Sequence, residues 1–263
     1  MHDHTPITRL IIVGASGRMG LRLLALGRAD TRCAIVGAAV RNDSSHIGAL
    51  ALAATSPLHD RDATSHDPLR FAGVGSTFAH ADVVVDFSNH ASVLASIALA
   101  QRSGAALLVG TTGLGEAHID ALKAASRERA VLLAPNTSLG VCVLNFLVGK
   151  ATRLLGNAFE LSLVEAHHSA KKDAPSGTAL RLARTARDAG AALPDHQILA
   201  MRGGDVVGEH TLRFAGPGEY LELSHRATSR DLFARGALTA AHWLKGRSAG
   251  WYTMEHVLGL ADT

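Results

Sequence analysis

Apolar and polar residues alternate along the first half of the chain in a pattern that predicts a parallel sheet with crossover helices. Short β-branched runs indicate buried strands, and the longer amphipathic runs between them indicate helices packed on the sheet. The predicted strands are Arg9–Val13, Ala34–Val40, Val83–Phe87, Ala106–Val109 and Val131–Leu133. The predicted helices are Arg18–Gly27, Ala91–Ser103, Glu116–Arg129 and Ser138–Leu155. The polar segment 42–75 predicts a long loop or an irregular insertion.

Beyond Leu155 the pattern changes, because the strand-like runs become longer and less uniformly apolar. Such runs are typical of a mixed or antiparallel sheet covered by helices on one face. The predicted strands are Phe159–Ala166, Ile198–Arg202, His210–Ala215 and Tyr220–Ala227, and the predicted helices are Ala179–Ala189 and Asp231–Leu244. The predicted fold class is α/β, with a Rossmann-like doubly wound parallel sheet domain followed by an α+β domain with a mixed sheet.

Composition narrows the class of protein. A chain of 263 residues with 47% apolar and 19% charged residues is long enough for two globular domains. Its charge of +3 is scattered and only 4% of its residues are aromatic, which favours small anionic ligands over nucleic acid. We expect a cytoplasmic protein, because the N-terminus lacks the pattern of a secretion signal and no run reaches the roughly 18 uncharged apolar residues of a membrane span. Two cysteines in apolar runs predict buried, inert thiols.

The sequence GASGRMG follows the first predicted strand and opens the first predicted helix. Its glycines, Gly14, Gly17 and Gly20, let the backbone approach a pyrophosphate closely, and the amides at the helix start carry partial positive charge. A tight strand-to-helix turn is the alternative, but the position after the first strand of an alternating α/β pattern favours a dinucleotide site. The cofactor-binding residues predicted here are Gly14, Ala15, Ser16, Gly17, Arg18 and Met19.

The residue after the second strand bears on the choice between NADPH and NADH. An acidic residue at this point holds the ribose hydroxyls of NAD, whereas an arginine accommodates the 2′-phosphate of NADP. The strand ends in Arg41, with Asn42 next and Asp43 close by. The hypothesis is a preference for NADPH over NADH, and the alternative is that Arg41 is a solvated loop cation.

Two further strand ends carry small polar turns, GTTG from Gly110 and APNTS from Ala134. In an open parallel sheet, ligands bind beyond the carboxyl ends of the strands, which is where the nicotinamide half would lie. Each turn taken singly is more often only a turn, and Ser138 could cap the next helix. The cofactor-binding residues predicted in these turns are Gly110, Thr111, Thr112, Ala134, Pro135, Asn136 and Thr137.

The segment EAHHSAKKDAPSGT, from Glu165 to Thr178, concentrates chemistry at a predicted strand-to-helix turn. Imidazoles titrate near neutrality, ammonium groups donate protons, and amides at a helix start attract carboxylate oxygens. Adjacent residues of a strand point to opposite faces, so one of the two histidines would ordinarily be buried and the other solvated. Their coincidence with Lys171 and a helix start instead indicates a site that binds an acidic substrate and protonates it, in which Asp173 either caps the turn or orients Lys171.

A metal site is the other interpretation that 15 histidines invite. No pair has the i, i+4 spacing of a helical zinc site, and His46, His59 and His66 are scattered through one polar segment. We expect no metal.

Over nearly its whole length the chain resembles the dihydrodipicolinate reductases, also called 4-hydroxy-tetrahydrodipicolinate reductases. The resemblance rests on GASGRMG, DFSNHAS, GTTGL, APNTSLGV, RGGDVVGEHTLRF and HRATSRDLFARGALTAAHWL, and most specifically on HHSAKKDAPSGTA from His167. It implies reduction of a cyclic imine dicarboxylate by NADPH or NADH in the diaminopimelate route to lysine.

The resemblance also implies residue roles and an assembly. His167 matches the proton donor, Lys171 its cationic partner, and His168, Gly177 and Thr178 the substrate contacts. The tail resembles a C-terminus that returns to the nucleotide domain, which implies a dinucleotide-binding domain of 1–137 with 247–263 and a substrate-binding and oligomerisation domain of 138–246. A homotetramer built through the second sheet is implied as well. Ala166 replaces a common glycine, which is tolerated unless φ there is positive.

Two other functions are weighed against this one. Another two-domain NAD(P)-dependent dehydrogenase of amino-acid metabolism, such as one acting on a semialdehyde, would need a reactive cysteine, whereas Cys142 lies in an apolar helical run. A non-enzymatic NADPH-sensing module would keep the glycine turn but would not need a proton-donor cluster beside a carboxylate-binding turn.

Overall fold

The computed structural model describes residues 7–51 and 68–261 of the chain. The elements are β1 (Thr8–Val13), α1 (Arg18–Ala29), β2 (Cys33–Val40), β3 (Phe71–Gly73), β4 (Val83–Asp86), α2 (Val93–Arg102), β5 (Ala106–Val109), α3 (Glu116–Ser126), β6 (Ala130–Leu133), α4 (Leu139–Leu155), β7 (Glu160–His167), α5 (Gly177–Asp188), β8 (Ile198–Arg202), β9 (Gly208–Gly216), β10 (Glu219–Ala227), α6 (Asp231–Leu244), β11 (Gly250–Tyr252) and α7 (Met254–Val257). The middle of the predicted loop segment, including His59 and His66, lies outside the described residues.

The chain divides into two compact units, one formed by 1–137 with 233–263 and the other by 138–232. The first contains a seven-stranded sheet in the order β11-β6-β5-β4-β1-β2-β3, and every pair of neighbours in it is parallel. The five strands predicted for this half are confirmed. Strands β3 and β11 were not predicted, because three residues are too few to show a hydrophobic period.

The second unit contains a four-stranded mixed sheet in the order β10-β9-β7-β8. Strand β7 is parallel to β8 and antiparallel to β9, which pairs antiparallel with β10. Helices α4 and α5 bury one face of this sheet, where Val148 and Leu182 pack with Leu161 and Leu163 of β7. Because side chains alternate along a strand, Glu165 and His167 continue the same buried face.

The division of the structure differs from the predicted domain boundary at 247, because the first unit resumes at Phe233. Most of helix α6 belongs to the first unit. Leu238 lies against Gly27 of α1, and Gly236 leaves no room for a Cβ beside the carbonyl of Thr137. The helix therefore packs against the first unit before the final strand begins.

Helix α4 and the turn after it, Leu139–Ala158, form one helix long and apolar enough in composition to cross a membrane. The core helix of a soluble protein meets the same criterion. Here Leu144 and Val148 are buried in the second core, and Lys150 and Arg153 interrupt the apolar run.

Candidate active site

The turns predicted to hold a dinucleotide lie at one edge of the first sheet. Gly14 follows β1, Arg41 follows β2, Gly110 follows β5 and Ala134 follows β6. All these strands are parallel, so their carboxyl ends share that edge, which is the ligand-binding edge of open α/β sheets.

The glycine turn has the geometry that a close backbone approach requires. Gly14 has φ of +75°, and a Cβ on it would stand 2.5 Å from the carbonyl oxygen of Phe87, so only glycine fits. Gly17 is the N-cap of α1 and makes no side-chain cap, and a Cβ on Gly20 would overlap the carbonyl oxygen of Gly14. This open cradle at a helix start fits the pyrophosphate of a dinucleotide.

A buried carboxylate supports the neighbouring turns and was not predicted. Asp86, the last residue of β4, accepts hydrogen bonds at Oδ1 from the amide and hydroxyl of Ser88 and from the hydroxyl of Thr111, at 2.6 to 2.9 Å. Its Oδ2 is buried and has no hydrogen-bond partner among the described residues. The phenyl ring of Phe87 fills the space beside Gly110 where a Cβ would stand. Asp86 therefore joins the turns after β4 and β5.

Arg41 stands exposed at the end of β2, the position at which a 2′-phosphate was predicted to bind. Its Nε lies 3.5 Å from Oδ1 of Asp43, and both side chains are more than two-thirds exposed. An ion pair this exposed is weak, so the guanidinium is available to another anion.

The centre of the second unit is a buried carboxylate, Glu165, held by three neighbours. Arg202 binds it with two parallel hydrogen bonds, Nη2 to Oε1 at 2.8 Å and Nη1 to Oε2 at 3.0 Å. The amide of Ser176 donates to Oε1 at 3.1 Å, and Nδ1 of His167 bonds to Oε2. The side chain of Glu165 is fully buried.

This environment keeps Glu165 ionised. Burial is the largest single influence and by itself favours the neutral acid, but the hydrogen bonds from Arg202, His167 and Ser176 together outweigh it and lower the pKa of Glu165. The carboxylate is therefore an anion at neutral pH, and it accepts the Nδ1 proton of His167.

His210 completes the cluster from strand β9. Its ring stands edge-on to that of His167 with centroids 5.2 Å apart, and its Nε2 lies 3.1 Å from the hydroxyl of Ser176. Burial, followed by the neighbouring His167, lowers the pKa of His210 to about 4. This ring is neutral at pH 7. His225 pairs with His210 across β9 and β10, and burial lowers the pKa of His225 too.

The loop between β7 and α5 carries the cation. Nζ of Lys171 lies 2.8 Å from Oδ1 of Asp173, and the lysine side chain is 22% exposed. Of the two roles open to Asp173, the structure shows the contact that orients Lys171. The ring of His167 contacts Glu165 and His210.

The start of helix α5 is as predicted. The hydroxyl of Ser176 accepts a hydrogen bond from the amide of Ala179 at 3.2 Å, and Gly177 begins the helix with Thr178 next. His168, half-buried, follows β7, and Ala166 lies in β7, where no described non-glycine residue has positive φ.

The predicted cofactor residues thus lie in the first unit and the predicted catalytic and substrate residues in the second. Four residues of these sites were not predicted from the sequence, namely Glu165, Arg202, His210 and Asp86. Glu165 could have been found, because residues two apart on a strand share a face and it precedes His167 by two. Arg202 and His210 come from other strands whose register is not readable from the chain.

The whole chain matches known proteins of one family. A family model for the N-terminus of dihydrodipicolinate reductase matches residues 8–137, and one for its C-terminus matches residues 140–258. The 4-hydroxy-tetrahydrodipicolinate reductase of Anaeromyxobacter dehalogenans is 42% identical, with 97% of this chain and 98% of the relative aligned. That of Myxococcus xanthus is 41% identical, with 97% and 99% aligned.

Solved structures show the same fold. A dipicolinate-bound dihydrodipicolinate reductase from Paenisporosarcina sp. TG-14 superposes with a TM-score of 0.72 over 94% of this chain and 98% of its own, at 19% identity. The two family models together span both units, and the relatives align end to end with this chain. The chain belongs to the dihydrodipicolinate reductase family.

Proposed function

We propose that this protein reduces 4-hydroxy-tetrahydrodipicolinate to tetrahydrodipicolinate and water at the expense of a reduced nicotinamide dinucleotide, in lysine and diaminopimelate biosynthesis. The curated relatives that align with the whole chain carry the name of this activity. The observation that carries the proposal is the buried pair of Glu165 and His167 beside the start of helix α5. The protein is an enzyme, and its first unit is built for a nicotinamide dinucleotide.

The second unit supplies the proton and holds the substrate. The bound nicotinamide supplies a hydride, whose arrival on a conjugated imine leaves negative charge on the adjoining atoms. His167 gives a proton there, a contribution typically worth about 10²- to 10⁴-fold in rate. Lys171 stabilises the developing negative charge, with its ammonium group held by Asp173.

The start of α5 binds a substrate carboxylate. Gly177 and Thr178 present backbone amides at the positive end of the helix dipole, and space around Gly177 is open, because nothing lies within 4 Å of where a Cβ would stand. His168 is placed in the same loop to contact the substrate. A dicarboxylate substrate suits a loop that offers two such contacts, the start of α5 and His168.

The cofactor preferred is NADPH. Arg41 stands where a 2′-phosphate would come, and no carboxylate other than that of Asp43 follows the end of β2 closely. The residues that hold the dinucleotide are the turn from Gly14 to Met19, Arg41, the turn from Gly110 to Thr112 and the turn from Ala134 to Thr137. NADH is the alternative cofactor.

The enzyme assembles as a homotetramer through the open face of the second sheet. Val164 of β7 pairs with Leu199 of β8, and Met201 and Tyr220 lie on the same face. Their exposure ranges from 37% to 64%. Exposed apolar side chains grouped on one sheet face are typical of an interface between subunits. We expect the tetramer to work in the cytoplasm, where its reduced cofactor is available.

The rival functions fit less well. A semialdehyde dehydrogenase needs an accessible thiolate, but Cys142 is 6% exposed, and burial, reinforced by Asp30, raises the pKa of Cys33 to about 11. A nucleotide-sensing module has no use for an ionised carboxylate that holds an imidazole.

The decisive experiment is a coupled assay. The preceding synthase makes the unstable substrate in place, and loss of NADPH absorbance follows its reduction. We expect turnover that depends on the synthase and on this protein. Binding of NADPH without such turnover would support the sensing module, and turnover abolished by a thiol-blocking reagent would support a cysteine-dependent dehydrogenase.

A further inference from the structure

Glu165 is a fully buried and heavily coordinated side chain of the second unit. Its two oxygens accept hydrogen bonds from the guanidinium of Arg202, the amide of Ser176 and the ring of His167. Burying an anion is costly unless it is paired and hydrogen-bonded. Because both carboxylate oxygens of Glu165 are paired, we infer that its negative charge has a role at this position.

The carboxylate determines which nitrogen of His167 carries a proton. The tautomer of a histidine is set by the hydrogen bond that its other nitrogen makes. Glu165 is an acceptor, so Nδ1 of His167 is the donor and holds its proton. Nε2 is left to gain or lose a proton. It stands 3.0 Å from where a Cβ of Gly208 would be, so glycine there keeps the space at Nε2 open.

The groups around this ring support one direction of proton transfer. The titratable and charged side chains near it are Glu165 on its own strand, His210 on β9, Arg202 on β8 behind Glu165, and Lys171 and Asp173 in the loop. His210 is neutral at pH 7, so the nearest charge to the ring is the Glu165 anion. That anion is placed to hold the Nδ1 proton of the ring while Nε2 faces away from it.

We propose that Glu165 is a positioning residue that binds the Nδ1 proton of His167, so that the ring delivers its second proton from Nε2 alone. The inference rests on the proposed function and deepens it. The hydroxyl of the substrate leaves with a proton of the neighbouring ring carbon as water, which makes the imine conjugated. A hydride then carries two electrons from the reduced nicotinamide to the carbon that lost the hydroxyl, and the proton from Nε2 goes to the neighbouring carbon, where the negative charge has formed. His167 ends neutral, with the proton still on Nδ1 and hydrogen-bonded to Glu165, which remains ionised throughout and held by Arg202.

The first test is Glu165→Gln, which keeps the size of the side chain and removes its charge. We expect kcat to fall about 10²-fold while KM for the imine and the Kd for NADPH change by less than about threefold. The pH profile of kcat should change as well, because an amide at this position no longer holds the proton on Nδ1 of His167. Glu165→Asp, which restores the charge on a shorter side chain, should recover part of kcat.

The matched control is Asp195→Asn. Asp195 is another carboxylate of the second unit that pairs with an arginine, Arg187, at 2.6 Å, but it is almost fully exposed. Its variant should keep the kcat and the pH profile of the wild type. A Glu165→Gln enzyme with unchanged kcat and unchanged pH profile would overturn the proposal.

A second measurement covers the case in which Glu165→Gln does not fold. Ring nitrogen chemical shifts of the wild-type protein, with the His167 signals identified by their loss in His167→Gln, report the tautomer directly. We expect the neutral ring to carry its proton on Nδ1, and a proton on Nε2 would refute the proposal. A wild type inactive toward the imine would refute the proposed function, whereas an active wild type that Glu165→Gln leaves unchanged would refute only the role of Glu165.

Discussion

The amide of Ser176 donates a hydrogen bond of 3.1 Å to Oε1 of Glu165, and the hydroxyl of the same serine caps helix α5. One residue thereby connects the start of α5, where we propose that a substrate carboxylate binds, to the anion that holds His167. The proposed proton donor and this helix start are joined by this short link within the second unit.

Substitution of His167 or Lys171, the proposed proton donor and stabilising cation, should lower the rate of catalysis without affecting cofactor binding. We expect His167→Gln and Lys171→Ala each to lower kcat at least about tenfold, because each removes a proton source or a stabilising cation from the transition state. NADPH binding, followed by fluorescence titration, should not change. Lys172→Ala is the matched control, since Lys172 is an exposed neighbour in the same loop. Normal turnover in both site variants would contradict the assignment.

Arg41 should discriminate between the two cofactors. Arg41→Ala is expected to raise KM for NADPH about tenfold, equivalent to about 1.4 kcal/mol, because a charge-assisted contact with the 2′-phosphate is lost. KM for NADH should stay the same. Arg32→Ala, which removes an arginine paired with Asp30 just before β2 begins, should affect neither cofactor. A wild type that uses NADH as efficiently as NADPH would refute the preference.

The Ser176 cap of α5 should make a measurable contribution to the free energy of unfolding. Ser176→Ala removes the acceptor for the amide of Ala179 and the partner of Nε2 of His210, and an N-cap alone is worth about 1 kcal/mol. We expect the free energy of unfolding in urea to fall by at least that amount. Ser126→Ala, which removes only a solvent-accessible hydrogen bond to the carbonyl of Lys123 at the end of α3, should be nearly neutral. Equal stability of Ser176→Ala and wild type would show that the cap contributes nothing.

Buried His210 should make the protein less stable in mild acid. The pKa of His210 is lowered from 6.5 to about 4, so between these values the unfolded chain binds a proton that the folded protein does not. Above pH 6.5 neither state is protonated and the effect is absent. As the pH falls through this window, the free energy of unfolding should decrease, at most by on the order of 3 kcal/mol.

The variant His210→Gln should flatten this pH dependence, and His196→Gln, which removes an exposed histidine, should leave it unchanged. Urea denaturation at several pH values measures both. Part of the slope should remain in His210→Gln, because burial also lowers the pKa of His225. An identical slope in wild type and His210→Gln would mean that His210 is protonated equally in both states.

The open face of the second sheet should control assembly. Met201→Glu places a charge among exposed apolar side chains, and we expect it to shift the protein from tetramer to smaller species in light scattering after gel filtration. Leu154→Glu is the control, because Leu154 is the most exposed large apolar residue among those described and lies on α4, away from that face. A monomeric wild type would contradict the proposed tetramer.

Local patterns along the chain determine much of this protein. The strands of the first sheet are continuous apolar runs, because a parallel sheet is buried on both faces, and such runs are readable from the chain alone. The same holds for the glycine turn after β1 and for the SGT start of α5, since φ of +75° at Gly14 and the cap at Ser176 are local requirements.

Contacts between distant strands were decided only by the tertiary structure. Arg202 and His210 reach Glu165 and His167 because β8 and β9 pair with β7 in one particular register, and no residue pattern within a single strand specifies that register. The sequence could show that an imidazole and an ammonium group lie near a helix start. Only the folded sheet shows that the imidazole is held by a buried carboxylate, because a charge can be buried there only once its partners from other segments have come together.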